Sequence, residues 1–142
     1  MNPARYLADT SALARLLTRP KGTYPDAWDE LVETGLIAVC PITELEFLYS
    51  ARSRSHRDEW ATILHSLFCY AVVDDRSYDR ALDVQRQLTD RGLHRGPGAV
   101  DLLVAATAEL QGLVLLHCDN DFDAIAAITG QPVERLRPDG GR

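Results

Sequence analysis

Short apolar runs alternate along the chain with stretches in which apolar residues recur every three or four positions. Residues 5–9 read as a strand, and 11–18 (SALARLLT) as a helix. RPKGTYP is a loop. Helical spacing over 26–35 (DAWDELVETG) then ends on Gly35, a residue suited to the left-handed position that closes a helix. LIAVC (36–40) predicts a second strand ended by Pro41, with helices over 43–53 and 56–67. CYAVV (69–73) predicts a third strand, and 76–91 a helix with Ala81, Val84, Gln85 and Leu88 near one face. RGLHRGPG (91–98) is a loop, 99–111 an apolar helix ending at Gly112, and LVLLH (113–117) a fourth strand. A last helix over 120–130 ends at Gly130, and PVERL adds a short edge strand. RPDGGR reads as a flexible tail over 137–142, leaving residues 1–136 as a single domain.

Strands alternating with helices imply βαβ units and a parallel sheet covered on both faces, a three-layer α/β/α sandwich. No repeat, low-complexity segment or internal linker interrupts it. The composition, 46% hydrophobic and 25% charged over 142 residues, is that of an ordinary globular domain. No apolar stretch is long enough to span a bilayer, and the acid in MNPARYLAD comes too early for a secretory segment, so the expected location is cytoplasmic. Cys40, Cys69 and Cys118 lie in or beside apolar runs and read as small buried hydrophobes, not as a zinc or disulfide framework.

The net charge of −6 argues against a passive nucleic-acid binder, which normally carries a basic footprint. It argues less against an active site built from carboxylates, where a bound cation reverses the local sign. In open α/β sheets ligands bind outside the carboxyl ends of the strands, so acids placed there are the candidates. Asp9 closes the first strand; Glu44 and Glu46 follow the second in PITELEF; Asp119 and Asp121 follow the fourth. Asp101 sits in GAVDLLVAATA and shares a helix face with Val104, Ala105 and Ala108. A carboxylate on such a face is costly unless paired or metal-bound.

Each acid alone admits an ordinary role. Asp9, Asp119 and Asp121 suit helix caps and turns, and Asp101 suits a helix dipole. Glu46 would close a capping box opened by Thr43, and Glu44 could be solvated. Together, carboxylates from four distant segments at one sheet edge would repel each other without a cation. Hard oxygen donors suit Mg²⁺ or Mn²⁺, and the chemistry expected of them is phosphodiester hydrolysis by metal-activated water.

YLADTSAL (6–13), ELEFLYSAR (44–52), VDLLVAATA (100–108) and LLHCDNDFDAIA (115–126) together resemble the PIN-domain ribonucleases, and within them the VapC-type toxins of bacterial toxin–antitoxin pairs. The four motifs recur in the family's order over nearly the whole chain. The resemblance implies catalytic, metal-holding acids at Asp9, Glu46, Asp101 and Asp119, with Asp121 a possible second at the last position and Glu44 the alternative to Glu46. Thr10 and Ser11 match hydroxyls that support the first acid, while His117 stands where the family often has Thr or Ser and receives no role. The implied activity is that of a Mg²⁺-dependent endoribonuclease, with Mn²⁺ able to substitute, cutting structured RNA such as tRNA. A small antitoxin protein and a homodimer are the implied partners, with no membrane.

Arg91 and Arg95, with His94, precede Asp101 closely enough to hold an RNA phosphate. Arg52, Arg54 and Arg57 read as cations near a helix C-terminus, where the dipole favours them. His56 and His65 read as surface or half-buried residues, and Phe47, Tyr49 and Trp60 as core or dimer-interface packing. A receiver domain needs a lysine after a late strand, whereas Lys21, the one lysine beside fourteen arginines, lies in an early loop. A phosphatase with an aspartyl nucleophile would pair two acids after the first strand, but Thr10 and Ser11 follow Asp9. The remaining rival is a catalytically silent PIN-like module that binds RNA or a partner without turnover.

Overall fold

The apolar runs pair into one sheet. In a computed structural model that describes residues 4–18 and 27–137, the strands are β1 (Tyr6–Ala8), β2 (Ile37–Val39), β3 (Cys69–Tyr70), β4 (Val114–His117) and β5 (Val133–Arg135). The helices among the described residues are α1 (Thr10–Thr18), α2 (Ala27–Glu33), α3 (Pro41–Leu48), α4 (Arg54–Leu67), α5 (Arg76–Asp90), α6 (Ala99–Leu110) and α7 (Asn120–Thr129). The loop expected over 19–25, the first residue of the helix expected over 26–35 and the tail beyond Arg137 lie outside the described residues. No helix among the described residues is long and apolar enough to cross a membrane.

All strand pairs are parallel, in the order β3-β2-β1-β4-β5. Alternation along each strand sends side chains to opposite faces. Leu7, Ala38 and Leu115 pack with Ala81, Val84 and Leu88 of α5, Leu102 and Val104 of α6, and Phe122 and Ile125 of α7. Tyr6, Ala8, Ile37, Val39 and Leu116 pack with Ala12, Leu13 and Leu16 of α1, Trp28 of α2, Phe47 and Leu48 of α3, and Leu64 of α4. Two helical layers thus enclose the sheet, which is the expected α/β/α sandwich. Gln85 does not join the buried face of α5; Ala81, Val84 and Leu88 do.

Glycines at positive φ deliver the chain into two of the strands. Gly35 (φ 74°) and Gly112 (φ 68°) follow α2 and α6. In both turns the glycine N–H and the next N–H turn back to helix carbonyls: Gly35 to Val32 and Leu36 to Leu31, Gly112 to Glu109 and Leu113 to Ala108. This pair of hydrogen bonds closes each helix and aims the chain at β2 and β4.

Three expectations need correction. Pro41 starts α3 as well as ending the strand: Cys40 is the N-cap and Pro41 occupies the first turn, where its missing N–H costs nothing. Thr43 is therefore inside the helix, its hydroxyl 3.5 Å from Cys40 Sγ, and no capping box joins it to Glu46. The chain also breaks between Leu48 and Arg54, where Ser53 caps α4 by accepting from the His56 N–H. Arg54 and Arg57 consequently sit in a first helical turn, the end that disfavours cations, and lie beside Asp58. Finally, β3 stops at Tyr70 because β2 stops at Val39; the Ala71 N–H takes the last β2 carbonyl and Val72 is exposed.

Among the described residues a Cβ at Gly112 would meet nothing within 4 Å, so it is the positive φ that opposes substitution. Gly112→Ala should therefore destabilise the protein by about 1–2 kcal/mol, the cost of a left-handed L-residue, without altering the acid cluster. Chemical denaturation of both proteins measures it.

Candidate active site

The strand order reverses between β1 and β4, which are adjacent although far apart in sequence. Such a switch point opens a crevice at the carboxyl ends of the strands, because successive crossovers leave on opposite faces. Asp9 continues β1 into that crevice, its N–H still bonded to the Leu116 carbonyl of β4 at 3.0 Å. Asp119 begins α7 on the other side.

Asp9 is 5% exposed. It caps α1, accepting the Ala12 N–H at 2.9 Å, and the Ser11 hydroxyl lies 2.8 Å from both of its oxygens. Ser11 Oγ in turn accepts the Cys118 N–H at 3.0 Å, so one hydroxyl ties the end of β4 to the β1 acid. Thr10 does not share this role; its buried hydroxyl has no hydrogen-bond partner among the described residues.

Asp101 is the third residue of α6 and accepts the N–H of the N-cap Gly98 at 3.1 Å, the reverse half of a capping box. Asp119 caps α7 and accepts the Asp121 N–H at 2.9 Å. The helix-starting roles open to Asp9, Asp101 and Asp119 are therefore real. They do not exclude a second role, because a carboxylate accepting one or two N–H bonds keeps lone pairs free.

Electrostatics joins these acids into one cluster. Burial pushes the Asp9 carboxyl up to about 6, more than the Ala12 and Ser11 hydrogen bonds pull it down, and Asp101 adds repulsion. Asp101 is also raised, by burial first, against the Gly98 bond, and then by Asp119, Asp121 and Glu46. Burial and Asp119 raise Asp121. Glu46, although exposed, thus faces Asp101 from α3.

Glu44 does not join this set. Its carboxylate meets His65 Nε2 at 2.7 Å and lines a separate cavity of about 510 Å³ with Val39, Leu64, Phe68 and Tyr70. Arg91 and Arg95 are exposed on the loop before α6. That loop nevertheless reaches the cluster, since a Cβ at Gly96 would lie 3.0 Å from Asp121 Oδ1. Of the aromatic residues, Phe47 is buried and stacked on Trp60 at 4.5 Å, whereas Tyr49 is 92% exposed.

His117, which was given no role, and a further acid, Asp123, lie behind the last acid. His117 is completely buried, and its Nδ1 accepts the Asp119 N–H at 3.2 Å. Asp123 is exposed and pairs with Arg135 at 2.6 Å. The sequence signal was a histidine ending an otherwise apolar strand, two positions before the acid.

Asp9 carries a pH prediction. Its folded form holds a proton more tightly than the unfolded chain, so stability falls as pH rises from about 4 to about 6 and stays lower above. At 1.36 kcal/mol per pH unit the difference is roughly 3 kcal/mol. In EDTA, Asp9→Asn, which keeps an N-cap acceptor, should raise stability at pH 8 by up to about that amount. Most of the gain should be gone at pH 4, as denaturation at the two pH values would record.

Comparison with known proteins fits this geometry. The family model described as PIN domain matches residues 6–128. Ribonuclease VapC2 of Mycobacterium tuberculosis (strain CDC 1551 / Oshkosh) is 47% identical over 137 residues, covering 96% of this chain and 95% of that protein. Ribonuclease VapC51 of Mycobacterium tuberculosis (strain ATCC 25618 / H37Rv) is 42% identical over 138 residues, covering 96% of each. Among solved structures, VapBC2 from Rickettsia felis bound to a promoter DNA fragment superposes with a TM-score of 0.76 at 18% identity, over 93% of this chain and 98% of that one. DNA-bound VapBC from Salmonella typhimurium gives 0.72 at 18% identity and the same coverage. With its acid-lined switch point and these relatives, the chain belongs to the PIN-domain family, among the proteins named Ribonuclease VapC.

Proposed function

We propose that this protein is a metal-dependent endoribonuclease, the toxin of a toxin–antitoxin pair, hydrolysing phosphodiester bonds in RNA by metal-activated water. The observation that carries the reading is the convergence of Asp9, Glu46, Asp101, Asp119 and Asp121 on one crevice, with Asp9 and Asp101 raised by burial and mutual charge. The names of the relatives supply the substrate class, RNA.

The donor set fits a hard divalent cation: it is all carboxylate oxygen, and a positive ion relieves its repulsion. Among the described residues no three His, Cys, Asp or Glu side chains form a ready-made cage. Mg²⁺ suits such a site because it is held through one or two carboxylates, waters and substrate phosphates, and Mn²⁺ can substitute. Asp9, Asp101 and Asp119 would hold it, with Glu46 and Asp121 beside them. When bound, the metal activates water and stabilises the leaving oxygen.

The chain's own residues prepare that chemistry. Ser11 and the Ala12 N–H fix Asp9, the Gly98 N–H fixes Asp101, and the Asp121 N–H fixes Asp119. The N-termini of α1, α6 and α7 meet the same edge and favour the negative charge of an incoming phosphate. Arg91 and Arg95 contact the RNA backbone outside the crevice. The substrate is a structured RNA such as tRNA, the setting is the cytoplasm, and the working assembly is a homodimer restrained by a small antitoxin.

The test is cleavage of total bacterial RNA by purified, antitoxin-free protein with Mg²⁺ or Mn²⁺. Discrete fragments should form, and EDTA or Asp101→Asn should abolish them while the protein still melts cooperatively. RNA binding without any cleavage would instead favour the catalytically silent module. Glu46→Gln should slow cleavage by about 10²-fold or more, as expected for a lost catalytic carboxylate, and Glu44→Gln by about two-fold at most. The reverse order, measured on the same RNA, would move the site to Glu44.

A further inference from the structure

We infer that His117 is a positioning residue: its imidazole holds the backbone of Asp119 and so sets the direction of the Asp119 carboxylate in the cluster. The inference rests on reading that cluster as a metal site.

His117 ends β4 with none of its surface exposed. Its carbonyl accepts the Leu136 N–H at 2.7 Å, and its ring packs against Phe122 with centroids 5.4 Å apart. Nδ1 accepts the Asp119 N–H at 3.2 Å, so the ring proton lies on Nε2. Among the described residues Nε2 has no hydrogen bond, and Asp123 Oδ1 lies 3.5 Å from it. Arg135 closes the outside of the same turn, donating at 2.6 Å to both Asn120 Oδ1 and Asp123 Oδ2. The first turn of α7 is thereby gripped from the interior by His117 and from the surface by Arg135.

A leucine would fill much of the ring's space in this apolar layer, yet would leave the half-buried Asp119 N–H without the acceptor that Nδ1 provides. The backbone at Asp119 would then be free to turn. The carboxylate is attached to that backbone and caps the helix through the Asp121 N–H. Outer partners of this kind matter to metal sites because they orient the ligands that touch the ion.

The test compares His117→Asn, which keeps an acceptor where Nδ1 stood, with His117→Gln, which moves it to the Nε2 position, and His117→Leu, which removes it. Mn²⁺ affinity by electron paramagnetic resonance, melting temperature in EDTA and RNA cleavage are measured for each. Leu and Gln should weaken Mn²⁺ binding by about ten-fold or more, and Asn should stay within about three-fold of wild type despite melting below Leu. If His117 only fills space, Mn²⁺ affinity will follow melting temperature, with Leu best and Asn worst, and the inference is overturned. Wild-type Mn²⁺ affinity in both Leu and Gln overturns it as well. Wild-type protein that neither binds Mn²⁺ nor cuts RNA removes the metal-site reading itself, a different failure from variants that match a working wild type.

Discussion

Mutual repulsion among carboxylates is the constraint around which the carboxyl edge of this sheet is organised. Two like charges about 4 Å apart repel by roughly 4 kcal/mol even at an effective dielectric constant near 20. Each inner acid therefore receives donors: Ser11 and the Ala12 N–H on Asp9, the Gly98 N–H on Asp101, the Asp121 N–H on Asp119. At Asp9 these donors do not offset burial, and its carboxyl stays raised to about 6. The crevice therefore keeps a negative character, and the divalent cation proposed above would offset it.

The fold meets this constraint by giving the same residues two tasks. Asp9 and Asp119 are helix caps, and Asp101 bonds the N-cap of its helix, so each acid is oriented by the helix it begins. The positive ends of three helices thereby face the negative cluster. On α3, Glu44 and Glu46 are two residues apart, roughly 200° around the axis. One side meets His65 at a separate cavity and the other faces Asp101. The Ser11 bridge between Asp9 and the Cys118 N–H keeps the two walls of the crevice in register.

Much of the architecture was legible because hydrophobic periodicity is a local property. The strands and helices fall where their apolar runs and closing glycines place them, Gly35 and Gly112 being the clearest cases. The misreadings arose where one residue serves two boundaries. Pro41 both ends a strand and opens a helix, which moved Thr43 off the cap and removed the capping box that competed for Glu46. Ser53 starts a new helix within an arginine-rich stretch that reads as one continuous end. His117 was passed over because one histidine at a strand end says nothing, in sequence, about what its ring nitrogens meet.

By itself the sequence determined the alternation of elements, the parallel sheet and the set of acids available at strand ends. These follow from side-chain spacing over a few residues. Which acids meet was decided only by the order β3-β2-β1-β4-β5, which sets β1 against β4 and brings Ser11 to Cys118 across 107 residues of chain. The separation of Glu44 from Glu46, the approach of Gly96 to Asp121 and the burial of His117 depend on the same long-range packing. Burial and charge proximity are properties of neighbours in space, and those neighbours exist only once the two helical layers have closed on the sheet.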